Sequence, residues 1–213
     1  GEITLEEALA QSVNTAAVRV MQRAGGPRAA IAVAERMGLA GPFPRDGTVA
    51  LGTGEVSLLE LTTAYAAFAN GGWRVTPYGL REAVPPPGAP AAARRVTLAI
   101  PPTRRVMEAG HAEAMRSMLE AVVARGTGRA AGPGVAGKTG TTQDNRDAWF
   151  VGITAPMAGA PAGLAIGIWL GNDDGTPMDN VAGGGLPARL FRQILEGWAA
   201  SRAVAAEARP RGG

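Results

Sequence analysis

Val135-Ala136-Gly137-Lys138-Thr139-Gly140-Thr141-Thr142 is the stretch on which the reading of this chain turns. It holds the only lysine among 213 residues. Two small residues precede that lysine, and Thr-Gly-Thr-Thr follows it. A lone ammonium among glycines and hydroxyls has the composition of an anion-binding wall. Two unrelated enzyme classes build such walls, and the residues around this one separate them.

The rest of the composition narrows the field. Hydrophobic residues make up 46%, which is ample for a packed core, yet no apolar run approaches the ~18 residues of a membrane span. The first residues, Gly-Glu-Ile-Thr-Leu-Glu-Glu, carry neither the basic nor the apolar region of a signal peptide. There is no cysteine, so disulfides and thiolate chemistry are excluded. Net charge is +3, carried almost wholly by scattered arginines with few aromatics beside them. That pattern argues against a nucleic-acid partner.

Helical signals fill the first half. Thr4 with Glu7 reads as a capping box, a hydroxyl followed three residues on by a carboxylate. A second helix starts at Ser12-Val13-Asn14, with Asn14 or Thr15 as its cap. A third runs from Pro27 to Gly38. Residues 40–56 read as loop. Ser57 with Glu60 is another capping box, opening a helix that ends at Asn70-Gly71-Gly72. Pro77 to Val84 reads as a strand, and Pro85 to Pro90 as an extended connection. Gly110 to Arg125 reads as a helix. Then the pattern changes. Val135–Thr142, Ala148–Ile153 and Leu164–Leu170 read as strands, and the turns between them leave no room for crossover helices. Short connections make neighbours antiparallel. A last helix spans about Pro187 to Ala199, and the residues after Ser201 read as a disordered tail. The fold class expected is α+β: an antiparallel sheet flanked by helices, in one domain over residues 1–200.

Gly132-Pro133-Gly134-Val135-Ala136-Gly137-Lys138-Thr139 fits the phosphate-loop expression G-x-x-x-x-G-K-[ST] at every position. A nucleotide site also needs a buried strand before the loop and a helix whose N-terminus faces the phosphates. Arg125-Gly126-Thr127-Gly128-Arg129 is no such strand. Gln143-Asp144-Asn145-Arg146 is a turn into the next strand. Without the helix, the phosphates would lack their amide cradle.

The alternative treats Lys138-Thr139-Gly140 as a strand motif beside Ser12-Val13-Asn14. S-x-x-K, S-D-N and K-T-G form the motif set of the penicillin-binding superfamily. The flanking segments strengthen the match: Leu51-Gly52-Thr53-Gly54-Glu55-Val56-Ser57, Ala64 to Gly72, Asp147-Ala148-Trp149-Phe150-Val151-Gly152 and Trp169-Leu170-Gly171-Asn172-Asp173-Asp174. On these residues the chain resembles the transpeptidase domain of class A penicillin-binding proteins, the bifunctional peptidoglycan synthases, over most of residues 2–198. The resemblance implies a β-lactamase/transpeptidase-like fold and a peptidoglycan D,D-transpeptidase that β-lactam antibiotics acylate. It implies peptidoglycan stem peptides as partners and no cofactor. It also implies a place on the periplasmic face of a bacterial inner membrane, with a glycosyltransferase module and membrane anchor upstream.

One departure matters. The family nucleophile is the serine of S-x-x-K. The serines here are Ser12, Ser57, Ser117 and Ser201, and three residues after them stand Thr15, Glu60, Glu120 and Val204. The nucleophile is therefore not in this chain. The expectation is a C-terminal part of the domain, lacking the N-terminal strands and the nucleophile helix, and inactive alone. The resemblance assigns Lys138 to positive potential and proton tuning, and Thr139 and Thr141 to the donor carboxylate. The Thr141 N–H becomes an oxyanion donor. Gly140 allows close approach of substrate backbone, Ser12 relays protons, and Asn14 bonds the donor amide. Plainer roles compete: Ser12 and Asn14 are good helix caps, and threonines favour strands. A non-catalytic β-lactam sensor or scaffold on the same fold is a second reading. His111, the only histidine, reads as an exposed first-turn residue rather than a base. No metal site is expected, and Trp149 and Trp169 read as core.

Overall fold

The computed structural model describes residues 1–90, 94–100, 102–157 and 163–207. The chain opens with three helices, α1 (Leu5–Ala10), α2 (Asn14–Arg23) and α3 (Gly26–Met37). Thr4 caps α1, its Oγ1 accepting the Glu7 N–H at 3.1 Å. Only half of the anticipated capping box forms. The Glu7 carboxylate accepts instead from Gln11 and from Arg125, which also bridges Glu6. Those ion pairs tie the end of a distant helix to the start of the chain. Asn14 is the first helical residue of α2 rather than its cap, and Val13 holds the cap position without a side-chain bond.

The anticipated loop over 40–56 contains one short 3-10 turn, Gly47–Leu51. Helix α4 (Leu58–Ala69) has the complete capping box. Ser57 Oγ accepts the Glu60 N–H at 3.2 Å, and Glu60 Oε2 accepts the Ser57 N–H at 3.0 Å. Beyond it lie four two-residue strands: β1 (Trp73–Arg74), β2 (Glu82–Ala83), β3 (Val96–Thr97) and β4 (Arg104–Arg105). β1 pairs with β4, and β2 with β3, both antiparallel. The long strand expected from Pro77 to Val84 thus shrinks to β2. Pro77 lacks the N–H a ladder needs, and every residue from Pro77 to Val84 is exposed, so nothing packs on it.

Helix α5 (Ala109–Ala124) leads into the sheet formed by β5 (Val135–Thr141), β6 (Asp147–Thr154) and β7 (Ala165–Gly171). The order is β5-β6-β7, all antiparallel. Residues alternate between the two faces, and helices cover both. On one face Val135 and Phe150 pack with Val123, Ala188 and Phe191, the two phenylalanine rings meeting edge to face at 5.0 Å. On the other, Ala136 and Ile153 pack with Leu119 and with the partly buried Leu9, Tyr65, Phe68 and Met115. Two glycines make these approaches possible. A Cβ on Gly152 would meet the Phe191 ring, and one on Gly167 would meet Thr62 and Leu58 of α4.

The last helix, α6 (Leu186–Glu207), supplies Phe191 to this core. It continues past Ser201, where the sequence reading expected a disordered tail; the alanines after Trp198 extend it. Residues 208–213 of that tail lie outside the described residues. The tryptophans also differ from expectation. Trp149 and Trp169 are directly opposed on β6 and β7, but Trp149 is only half-buried and Trp169 is 38% exposed. They share the face of Val151 and Ile153 at the strand ends furthest along from the α4 contact, and the indole N–H of Trp169 donates to Asp147 at 2.9 Å.

Candidate functional site

Lys138 sits in the middle of β5, opposite Val151 of β6. Alternation puts it on the same face as Ala136, toward α1 and α5. Its ammonium crosses to the connection between α1 and α2 and donates to Ser12 Oγ at 2.8 Å, joining residues 126 apart in sequence. It also donates to the Thr139 carbonyl at 3.1 Å and to Thr139 Oγ1 at 3.4 Å. Three protons thus find three acceptors. Burial pulls the lysine pKa down to about 8 from its ordinary 10.5. At pH 7 about nine-tenths of the molecules keep the charge, and a modest further change would remove it.

Ser12 lies between the two helices with φ of 55°, a left-handed backbone that non-glycine residues seldom adopt. Its N–H bonds to the Leu9 carbonyl, and the following Val13 N–H to that of Ala8. This turn aims the hydroxyl at Lys138. Neither Ser12 nor Asn14 caps a helix here. Asn14 is exposed, and among the described residues its side chain engages none of these groups. It borders an open depression with Val18, Arg19, Gln22 and Leu51.

Thr139 and Thr141 project to the opposite face from Lys138 by strand alternation. Thr139 Oγ1 lies 2.7 Å from Thr127 Oγ1. Thr141 Oγ1 accepts the N–H of Gly183 at 3.0 Å and keeps its own proton to donate. Gly140 is crossed by a glycine run: a Cβ on Gly183 would collide with the Gly140 backbone and the Trp149 carbonyl. Gly140 is thus approached closely, and the neighbour seen there is this chain's own Gly183. The site therefore joins Ser12, Lys138, Thr139 and Thr127, with Thr141 one step along the strand and Asn14 beyond Ser12.

The structure bears on the competing motif directly. Lys138 and Thr139 are strand residues, and a 3-10 turn (Gln143–Asn145) rather than an α-helix follows them. The phosphate cradle has no helix to build on. His111 is exposed in the first turn of α5. Among the described residues no group of three or more His, Asp or Glu could hold a metal.

Sequence reasoning missed Thr127, Gly183 and Gly184. Thr127 donates its N–H to the Ala10 carbonyl at 3.1 Å, and a Cβ on Gly184 would collide with the Thr127 carbonyl. The available signal was the spacing Gly126-Thr127-Gly128. Both glycines are buried where a Cβ would crowd Ala10 or Phe150, which fixes the threonine between them.

Comparisons with known proteins bear on the family and the fold. The family described as the penicillin binding protein transpeptidase domain matches residues 1–196. Penicillin-binding protein 1A of Aquifex aeolicus is 38% identical over 176 residues, covering 81% of this chain and 22% of that protein. Penicillin-binding protein 1A of Neisseria meningitidis is 33% identical over 190 residues, covering 87% and 23%. The chain thus spans under a quarter of the length of these curated relatives. Among solved structures, penicillin binding protein 3 of Mycobacterium tuberculosis superimposes with a TM-score of 0.72 at 31% identity, covering 94% of this chain and 52% of that one. The PonA1 protein of the same organism, in complex with penicillin V, has the same fold, with a TM-score of 0.74 at 24% identity over 93% and 57%.

Proposed function

This chain belongs to the penicillin-binding protein transpeptidase family, and from that premise we propose that it forms the carboxylate-binding and proton-relay side of a peptidoglycan D,D-transpeptidase site. The observation that carries the reading is the 2.8 Å bond from Lys138 Nζ to Ser12 Oγ. It joins two motifs that are otherwise unrelated in sequence. The donor would be a stem peptide ending in D-Ala-D-Ala. Its terminal carboxylate accepts from the hydroxyls of Thr139 and Thr141, in the positive field of Lys138. The Thr141 N–H donates to the oxyanion that develops on the scissile carbonyl. Asn14 hydrogen-bonds the donor amide.

A serine oxygen attacks the carbonyl carbon, an ester forms, and the C–N bond breaks. The departing D-Ala amine takes its proton from Ser12, Ser12 is resupplied by Lys138, and the proton lost by the attacking serine restores Lys138. An amine on a second stem then attacks the ester and releases the serine. With its proton already loosened by burial, Lys138 suits this role better than an arginine, which cannot give one up. β-Lactams enter as mimics of the donor. The attacking serine must come from outside these 213 residues, since no serine here precedes a lysine by three.

We place the protein on the outer face of a bacterial inner membrane, joined to a membrane anchor and a glycosyltransferase module beyond this chain. Among the described residues no helix is long and apolar enough to cross a membrane. A fluorescent penicillin, run on a denaturing gel, tests the reading. The full natural protein should carry a covalent band that Lys138→Ala abolishes, and the 213-residue chain should carry none. A band from the 213-residue chain alone, or full labelling of the Lys138→Ala protein, would overturn it.

A further inference from the structure

The hydrogen-bond inventory at Thr139 assigns a role to a residue outside every recognised motif. A threonine hydroxyl has one proton to give and two lone pairs to accept with. Lys138 Nζ, which can only donate, lies 3.4 Å from Thr139 Oγ1 and fills one lone pair. Thr127 Oγ1 lies 2.7 Å from the same atom, and either hydroxyl can be the donor in that pair. The two polarities are not equivalent. If Thr139 donates to Thr127, its proton is consumed and it turns a lone pair toward any incoming anion. If Thr127 donates to Thr139, both lone pairs are filled and the only group left on Thr139 is its proton. An anion beside Thr139 selects the second arrangement.

We infer that Thr127 is a positioning residue that fixes the Thr139 hydroxyl as a donor to the carboxylate of the bound substrate. This deepens the transpeptidase reading and rests on it. Thr127 is well placed for the task. Its backbone N–H is bonded to the Ala10 carbonyl, two residues before Ser12, and Gly184 packs against its own carbonyl. Gly126 and Gly128 on either side are buried and cannot accept a Cβ without moving Ala10 or Phe150. Its main chain is therefore held by α1 and by the glycine run ahead of α6, independently of its hydroxyl. One side chain links the Ser12 side of the site to β5. Chains of hydrogen bonds that share one direction strengthen each member, so the Thr127 proton also sharpens the donor strength of Thr139.

The test compares a penicillin bearing its free carboxylate with the methyl ester of the same penicillin, using the full natural protein. Thr127→Val keeps the shape and removes the hydroxyl, while Thr127→Ser keeps the hydroxyl. The valine variant should be acylated about tenfold more slowly by the free acid, the scale of one lost hydroxyl–hydroxyl bond. It should react with the ester within about twofold of the parent, and the serine variant should recover the acid rate. The ester rate serves as the control for correct folding. Equal slowing with acid and ester would reduce Thr127 to a structural residue and overturn the inference, as would an unchanged acid rate. A parent protein that shows no preference for the free acid, or no acylation at all, would instead overturn the transpeptidase reading on which it stands.

Discussion

Lys138 should destabilise the fold that contains it. Burial lowers its pKa from 10.5 to about 8, a difference of roughly 2.5 units, or about 3 kcal/mol at 1.36 kcal/mol per unit. The sign follows from linkage. Between pH 8 and 10.5 the unfolded chain holds a proton that the folded chain has lost, so stability rises with pH through that window. Below pH 8 both states are charged, and the full cost of burying an ammonium is present. Lys138→Met removes the charge at similar length and leaves the exposed Ser12 hydroxyl to water. The variant should therefore be the more stable protein at pH 7, by up to about 3 kcal/mol, or on the order of 6–12 °C in Tm for a chain of this size. That advantage should fade as the pH approaches 10.5.

Urea unfolding of both proteins at half-unit steps from pH 7 to 10.5 measures the effect. Tyr65, whose pKa burial pushes up to about 12, is common to both proteins and cancels in the difference. Because the chain has one lysine, ε-13C-lysine labelling adds an unambiguous NMR signal whose titration midpoint should fall near 8. A stability difference that stays flat with pH, or a lysine signal that titrates near 10.5, would refute the reasoning. The variant should also lose acylation in the full protein, so stability and function would move in opposite directions.

Two other perturbations probe the frame around the site. Ser57→Ala removes the acceptor for the Glu60 N–H and should cost about 1 kcal/mol, a fall of roughly 2–4 °C in melting temperature; an unchanged melting temperature would mean that α4 is held by packing alone. Gly183→Ala places a methyl group against the Gly140 backbone and breaks the Gly183 N–H bond to Thr141; penicillin acylation of the full protein should fall about tenfold or more while α-helical circular dichroism is retained, and an unchanged rate would detach the glycine run from the site.

The elements legible in the sequence are those whose causes are local. The Ser57–Glu60 box is written within four residues, and α4 begins where it says. The antiparallel sheet followed from turns too short for a crossover, and β5, β6 and β7 each begin and end within a residue or so of expectation. Elements whose partners lie far along the chain were not legible. β1 is two residues long and owes its existence to Arg104 and Arg105 some thirty positions later. Trp169 has the composition of a core residue, but its burial depends on how far along β7 the first turn of α4 lands, beside Gly167, and that is set by packing rather than by any local pattern. The length of α6 was underread because its alanine-rich end has no apolar stripe to mark it.

The site divides in the same way. Lys138 stood out because it is unique in composition, and the motifs flanking it named its neighbours. Ser12 was visible as a motif, but helix capping competed with it until the backbone showed that neither Ser12 nor Asn14 caps anything. Thr127 belongs to no motif. Its contact with Thr139 arises because α5 ends beside β5, and only packing brings the two hydroxyls together. The Gly183 bond to Thr141 spans 42 residues for the same reason.

The left-handed backbone at Ser12 has a further consequence. A connection between helices that needs φ near 55° is met at least cost by glycine or asparagine, and a serine there carries a conformational penalty of about 1–3 kcal/mol. Backbone conformation alone would favour glycine at this position, and that change would shorten no helix and empty no core. What it would erase is the hydroxyl. The penalty thus works as a molecular record: as long as a serine occupies this turn, its hydroxyl, which accepts from the Lys138 ammonium, outweighs the comfort of the backbone.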